Sequence, residues 1–208
     1  MMVFLLILTA VIAYLMGGIN GAIVTSKYFF HKDIRNYGSG NAGLTNYYRT
    51  FGPVGVAMVI GIDVLKSVIA ILIGGWLMKT QGAETVGRLF AGFCLILGHS
   101  YPVYYGFRGG KGVLCGGVMA LLADWRVGLL CWAVFAIVVI FTRYVSLGSI
   151  LSSMSCFLWM LAFDHTSLEV ILALLCGLLI TVKHAENILR LIGGTERKLS
   201  IQKGRPRK

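Results

Sequence analysis

From residue 38 to residue 49 the chain reads G-S-G-N-A-G-L-T-N-Y-Y-R, with three glycines, several hydroxyl and amide side chains and one arginine in twelve positions. Glycine lacks the Cβ that keeps successive backbone amides apart, so neighbouring N–H groups can converge on one point. Arg49 adds a fixed charge on a planar fork. Gly38, Ser39, Gly40, Asn41, Gly43, Thr45, Asn46 and Arg49 together offer the donors that a phosphate group needs. Two other readings compete. Gly38, Gly40 and Gly43 spell G-x-G-x-x-G with Asp63 twenty residues on, a dinucleotide fingerprint, but that fingerprint must follow a parallel strand in a soluble βαβ unit. Here the preceding segment is basic and polar, and Asp63 lies in an apolar run. A plain connector between helices is the other reading, and it leaves the density of donors unexplained.

Three more stretches carry polar groups. H-S-Y-P-V-Y-Y-G-F-R-G-G-K-G, from His99 to Gly112, sets Lys111 between Gly110 and Gly112, so backbone and ammonium can approach one anion just ahead of a helix N-terminus. Its tyrosines fit an interfacial aromatic role, and His99 is either a helix-end hydrogen bonder or a functional group. T-R-Y-V-S-L-G-S follows at 142–149; Arg143 reads as a topology charge, and Ser146 and Ser149 as helix caps or further donors. In K-H-A-E-N-I-L-R, His184, Asn187 and Arg190 recur at three-residue steps on one helical face. The plainer alternative for that segment is an interfacial amphipathic helix leading into a lipid-gripping basic tail. Within an apolar run, Asp63 and Lys66 sit three apart; they pair with each other or line a polar cavity.

The elements that must position these residues are membrane spans. Of 208 residues, 57% are hydrophobic and only 13% charged, with a mean hydropathy of +0.81. A soluble domain carries about 25% charged residues. Apolar runs near the roughly 20 residues that cross a bilayer recur along the chain. The expected fold class is therefore all-α, a polytopic membrane bundle of seven spans at 3–25, 53–78, 86–105, 111–124, 125–142, 147–163 and 167–184. The fourth is short, tilted or partly re-entrant. Residues 1–198 form one domain, followed by a basic cytoplasmic tail at 199–208. The first run lacks a preceding basic residue and a clear cleavage site, so it reads as retained rather than as a signal peptide.

A formal charge of +11 suggests nucleic acid, but topology accounts for it. Fifteen basic residues fall on one side: Lys27, Lys32, Arg35, Arg49, Arg108, Lys111, Arg143 and eight from Lys183 onward. Only Lys79, Arg88 and Arg126 fall on the other, and Lys66 is within a span. By the positive-inside rule the C-terminus is cytoplasmic and, with an odd number of spans, the N-terminus is outside. All the glycine-rich and polar loops then face the cytoplasm. The five cysteines lie scattered in apolar stretches without a C-x-x-C pair, so they read as small hydrophobes, with no disulfide framework and no metal site.

Taken together, G-S-G-N-A-G-L-T-N-Y-Y-R at 38–49, G-H-S-Y-P-V-Y-Y-G-F-R-G-G-K-G at 98–112, H-A-E-N-I-L-R-L-I-G-G-T-E at 184–196 and the D-x-x-K pair resemble the bacterial acyl-phosphate:glycerol-3-phosphate acyltransferases. The chain departs from the family pattern at Leu44, Ser67, Leu114 and Cys115. The resemblance implies a multi-pass protein of the bacterial cytoplasmic (inner) membrane. Its site would open to the cytoplasm and use no metal or other cofactor. It would transfer a fatty acyl group from acyl phosphate to the 1-hydroxyl of glycerol 3-phosphate, giving lysophosphatidic acid and phosphate. Partners would be these two substrates and membrane lipids, with no nucleic acid and no obligate protein. It also implies that Ser39, Arg49 and Lys111 hold phosphate and glycerol oxygens, that Ser146 and Ser149 add phosphate donors, and that His184 and Asn187 orient the glycerol. The H-x-x-x-x-D signature of thioester-dependent acyltransferases is missing, since Asn36, Tyr104, Val170 and Leu189 stand five residues after the four histidines. The alternative is an organic-phosphate transporter or exchanger, which predicts inverted repeats and a midplane site. A membrane phosphatase is a weaker third reading, lacking clustered acid and base residues.

Overall fold

The computed structural model describes residues 1–199, and every regular element among them is helical. In chain order these are α1 (Met2–Gly18), α2 (Gly21–Phe30), α3 (Leu44–Phe51), α4 (Val56–Lys79), α5 (Glu84–Ser100), α6 (Val113–Ala123), α7 (Trp125–Thr142), α8 (Val145–Ala162), α9 (Ser167–Val182) and α10 (Ala185–Ile192). Two single 3₁₀ turns, at Ile34–Asn36 and Val103–Tyr105, shape the loops. The basic tail expected at 199–208 lies outside the described residues except for Leu199.

Five stretches are long and apolar enough to cross a membrane: Met2–Phe30, α4, Glu84–Tyr105, α7 and α8. The pair α9 and α10, bent by 63° at its break, makes a sixth if counted as one span, whereas α6 is a shorter apolar helix of 11 residues. Large apolar side chains such as Phe4, Ile7, Trp76, Ile140 and Phe141 point outward, as lipid contact requires. Inside, α1 packs on α4 and α5, α8 packs between α7 and α9, and α6 is wedged against α4, α5 and α7. The five cysteines are all buried and free.

Two expectations need correction. The first apolar run is not one continuous helix: it breaks at Ile19, and Asn20 starts α2 by accepting the Ile23 N–H on its side chain at 3.0 Å. The glycine-rich stretch is a loop only in its first half. From Leu44 the chain forms α3, because Leu44, Tyr47 and Phe51 fall on one face and pack against Phe30, Ile34 and Val59. Ser146 and Ser149 do not cap α8, whose N-cap is Tyr144 with no side-chain cap bond, but elsewhere local chemistry sets the helix ends. Asp124 alone separates α6 from α7 and caps the latter through Arg126 N–H at 2.8 Å. Thr166 and Glu169 form a reciprocal capping box at the start of α9.

The close crossing of α1 and α5 depends on small residues. A Cβ on Gly98 would stand 2.0 Å from the Tyr14 carbonyl oxygen, and one on Gly17 would stand 2.2 Å from the Leu95 carbonyl oxygen. Backbone meets backbone there, so no flexible side chain can yield. Gly98→Ala is therefore expected to destabilise the folded protein by about 1–3 kcal/mol. Thermal unfolding in detergent checks this, and an unchanged midpoint would mean that the helices separate freely at this crossing.

Candidate active site

The four polar stretches meet. One cavity of about 480 Å³ is lined by Gly38, Ser39, Asn41, Gly43, Thr45, Asn46 and Arg49 from the first stretch and by Lys111 and Gly112 from the second. Ser146 and Ser149 come from the third, and His184, Asn187, Arg190 and Glu196 from the fourth. Asp63 and His99 line it as well. Of the expected site residues only Gly40 and Gly110 stay off the wall. The Gly40 N–H is engaged by the Tyr37 carbonyl at 3.0 Å, and Gly110 is packed against the His99 ring.

Within the cavity wall the fourth stretch forms a connected polar network. Lys111 Nζ donates to Asn187 Oδ1, and Asn187 Nδ2 donates to Glu196 Oε1 at 2.8 Å. The same Glu196 oxygen accepts from Ser146 Oγ at 2.8 Å, while Arg190 Nε donates to Oε2 at 2.8 Å. Burial alone would raise the Glu196 carboxyl, but hydrogen bonds from Arg190, Asn187 and Ser146 outweigh it and hold the group below the usual carboxylate range. Sequence reasoning passed over Glu196. Its signal was there: the last acid of the chain, directly after G-G-T and followed by Arg197 and Lys198, needs a reason.

Lys111 lies in the turn before α6, outside the helix. Burial, reinforced by the positive charge of Arg190, brings its ammonium down to about 8. His184 lies in the break between α9 and α10. Its Nδ1 is 2.8 Å from the Ile180 carbonyl oxygen, which can only accept, so the ring proton sits on Nδ1 and the Nε2 lone pair has no partner among the described residues. Burial, helped by Lys111, lowers this imidazole to about 4, so it is neutral near pH 7.

Not every expected donor is available to a ligand. Asn46 holds the loop together instead: Oδ1 accepts the Ser39 N–H at 3.0 Å, and Nδ2 donates to the Tyr37 and Asn41 carbonyls at 3.0 Å each. Ser149 Oγ donates to the Val145 carbonyl one turn back at 2.8 Å. Arg49 Nη2 touches the Arg197 carbonyl at 3.1 Å and keeps its other donors for the cavity wall. Arg35, counted from sequence as a topology charge, is a clamp: it pairs with Asp33 at 2.8 Å and donates to the Tyr105 carbonyl at 2.6 Å, tying the first loop to the second.

An apolar crevice adjoins the polar cavity. Val113, Trp132, Phe135 and Ser149 border both. Beyond them the crevice continues between α6, α7, α8 and α9, past Gly116, Met119, Cys131, Cys156 and Cys176. The polar cavity and this narrow crevice of about 30 Å³ set anionic and apolar binding surfaces side by side.

Comparison with known proteins agrees with this geometry. The family model described as glycerol-3-phosphate acyltransferase matches residues 7–194. A glycerol-3-phosphate acyltransferase of Thermoanaerobacter sp. (strain X514) is 44% identical over 193 residues, covering 93% of this chain and 95% of its own. One from Clostridioides difficile (strain 630) is 40% identical over 207 residues, covering 98% and 100%. Among solved structures, PlsY (YgiH), an integral membrane glycerol 3-phosphate acyltransferase in its glycerol 3-phosphate form, superposes with a TM-score of 0.84 at 34% identity, covering 94% of this chain and 96% of that one. The lysophosphatidic acid form of PlsY superposes with a TM-score of 0.83. With its four motif stretches converging on one cavity, the chain belongs to the glycerol-3-phosphate acyltransferase family.

Proposed function

We propose that the protein transfers a fatty acyl group from acyl phosphate to the 1-hydroxyl of glycerol 3-phosphate, releasing lysophosphatidic acid and inorganic phosphate. The observation that carries this reading is the single cavity with cationic walls and an apolar extension. The protein sits in the bacterial cytoplasmic membrane as a seven-span bundle, counting α6 and α9 as spans, with the N-terminus outside and the cavity open to the cytoplasm. The lopsided distribution of basic residues supports that orientation.

The chemistry asks little of the protein beyond placement and charge. Acyl phosphate is a mixed anhydride, so its phosphate leaves without strong acid assistance. What has to be overcome is the repulsion between two anionic substrates and the charge that grows on the carbonyl oxygen. Lys111 and Arg49 neutralise the phosphates, and the Ser39 hydroxyl with the loop amides not already bonded to Asn46, Tyr37 and Gly109 completes their hydrogen bonding, whereas the single Ser146 proton is given to Glu196. The His184 Nε2 lone pair accepts the substrate hydroxyl and aims its oxygen at the acyl carbon. As the new C–O bond forms, the anhydride C–O bond breaks and phosphate departs with its electron pair. The hydroxyl proton passes to a phosphate oxygen or to His184. Asn187 orients the glycerol while Glu196 holds Asn187.

Incubating the purified protein with acyl phosphate and labelled glycerol 3-phosphate tests the reading directly; absence of labelled lysolipid in every detergent tried would end it. Lys111→Ala and Arg49→Ala are each expected to lower turnover by roughly 100-fold or more while insertion and folding persist. A near-normal rate in either variant would remove that residue from the site.

A pH profile probes Lys111 separately. Burial lowers its ammonium to about 8, so the charged form that binds an anion is lost earlier on the alkaline side than for a surface lysine. The kcat/KM for glycerol 3-phosphate is expected to decline as pH rises through about 8. In Lys111→Arg, whose guanidinium stays charged, that alkaline limb moves upward. An identical limb in both proteins would assign the titration to another group.

A further inference from the structure

The Asp63–Lys66 pair is not among the residues assigned to hold substrate, yet it is buried (3% and 4% exposed) and connected to the two loops that carry Ser39 and Lys111. Lys66 Nζ is 2.7 Å from Asp63 Oδ1, 2.7 Å from the Ile19 carbonyl oxygen, 3.1 Å from the Gly17 carbonyl oxygen and 3.0 Å from His99 Nδ1. Carbonyl and carboxylate oxygens only accept, so the ammonium donates, and His99 Nδ1 accepts with its ring proton on Nε2. Asp63 Oδ1 takes the Gly21 N–H at 3.2 Å. Both sides of the α1–α2 break are thus held by this one ion pair.

From the break, contacts run outward and return. Asn20 Nδ2 donates to the Ala42 carbonyl at 3.0 Å, in the middle of the glycine loop that carries Ser39. The Ala42 N–H reaches the Gly109 carbonyl at 3.4 Å, and the Gly110 N–H donates to the His99 carbonyl at 3.0 Å, one residue before Lys111. His99 closes the ring on Lys66. The loops press so tightly that a Cβ on Gly110 would stand 2.2 Å from His99 Nε2 and 2.6 Å from the Ala42 carbonyl oxygen. We propose that Asp63, Lys66 and His99 are positioning residues that set the distance between the Ser39–Arg49 loop and the Lys111 loop, and so the fit of glycerol 3-phosphate between them. The proposal rests on the acyltransferase reading of the cavity.

The test is a kinetic split in folded protein. Lys66→Met alone would leave Asp63 buried without its partner, so the paired Asp63→Asn/Lys66→Met variant is examined beside it. His99→Asn keeps an acceptor near the Nδ1 position, and His99→Leu removes it. In variants that elute as the wild type does, KM for glycerol 3-phosphate is expected to rise about tenfold, or kcat/KM to fall by up to about 100-fold, in Lys66→Met, the paired variant and His99→Leu. KM for acyl phosphate should change by less than about twofold, and His99→Asn should recover most of the loss. A purely stabilising pair would lower the yield and melting temperature of the protein and leave KM for glycerol 3-phosphate untouched in the folded fraction; that result would overturn the proposal. If neither charge variant can be purified, the two His99 variants decide it, since they change no buried charge pair. Wild-type protein that makes no lysolipid would instead refute the functional reading, so the two failures are separable.

Discussion

Lipid offers no hydrogen bonds, so each break in a membrane helix leaves backbone groups that the protein must satisfy itself. The molecule is built around that constraint. Breaking the first apolar run at Ile19 exposes the carbonyls of Gly17 and Ile19 and the N–H of Gly21, and Lys66 and Asp63 take all three. An isolated charge at that depth is expensive, and so is an unpaired backbone polar group. Placed together, the two costs offset each other. The break then redirects α2 and delivers the 38–49 loop over the end of α5, where His99 and Gly110 receive it.

The cavity follows a different electrostatic rule. Asp63 is matched by Lys66, and Glu196 is surrounded by Arg190, Asn187 and Ser146, which leaves Arg49, Lys111 and Arg197 on the wall without an acidic partner among the described residues. A site of balanced charge would be more comfortable empty. Excess positive charge on such a wall suits anionic ligands, and the Lys111 ammonium is lowered chiefly by its burial and only secondly by the charge of Arg190. Glu196 does not cancel the excess. By anchoring Asn187 and Arg190 it fixes where the charge sits, a role that a neutral side chain of the same size would fill only in part.

Much of this was legible in the sequence because spans and glycine-rich loops rest on local chemistry. Long uncharged runs announced the helices, and glycines flanking Lys111 or crowding around Ser39 marked loops that line the cavity. The same locality explains what was missed. The Gly38–Gly52 stretch was read as loop throughout because three glycines outweighed the helical spacing of Leu44, Tyr47 and Phe51 that makes α3. Asn20 sat unremarked inside an apolar run, although an asparagine followed by glycine at that depth needs a partner, and here it is a helix cap. Asn46 looked like a ligand donor from its neighbours, but whether an amide serves ligand or backbone depends on the folded loop. The fate of His99 and Glu196 depended on residues 33 positions and 50 positions away, through Lys66 and Ser146, and no local pattern could show that.

The short helix α6 connects site and membrane. At 1.5 Å per residue its 11 residues span roughly 16 Å, about half of a hydrocarbon core near 30 Å thick. Ahead of it the chain is irregular from Gly106 to Gly112, beyond the Glu84–Tyr105 span, and irregular backbone beside membrane helices is tolerated where protein covers it or a cavity lies next to it. Here both hold: Gly109 and Gly110 are bonded to Ser100 and His99, and Lys111 and Gly112 face the cavity. A full-length sixth helix would have filled the space with side chains. Because α6 starts late, Val113 at its first turn borders the charged cavity and the apolar crevice together, beside Trp132, Phe135 and Ser149. On the acyltransferase reading, that border is where a carbonyl must sit, with its phosphate toward Lys111 and its hydrocarbon chain already among the helices.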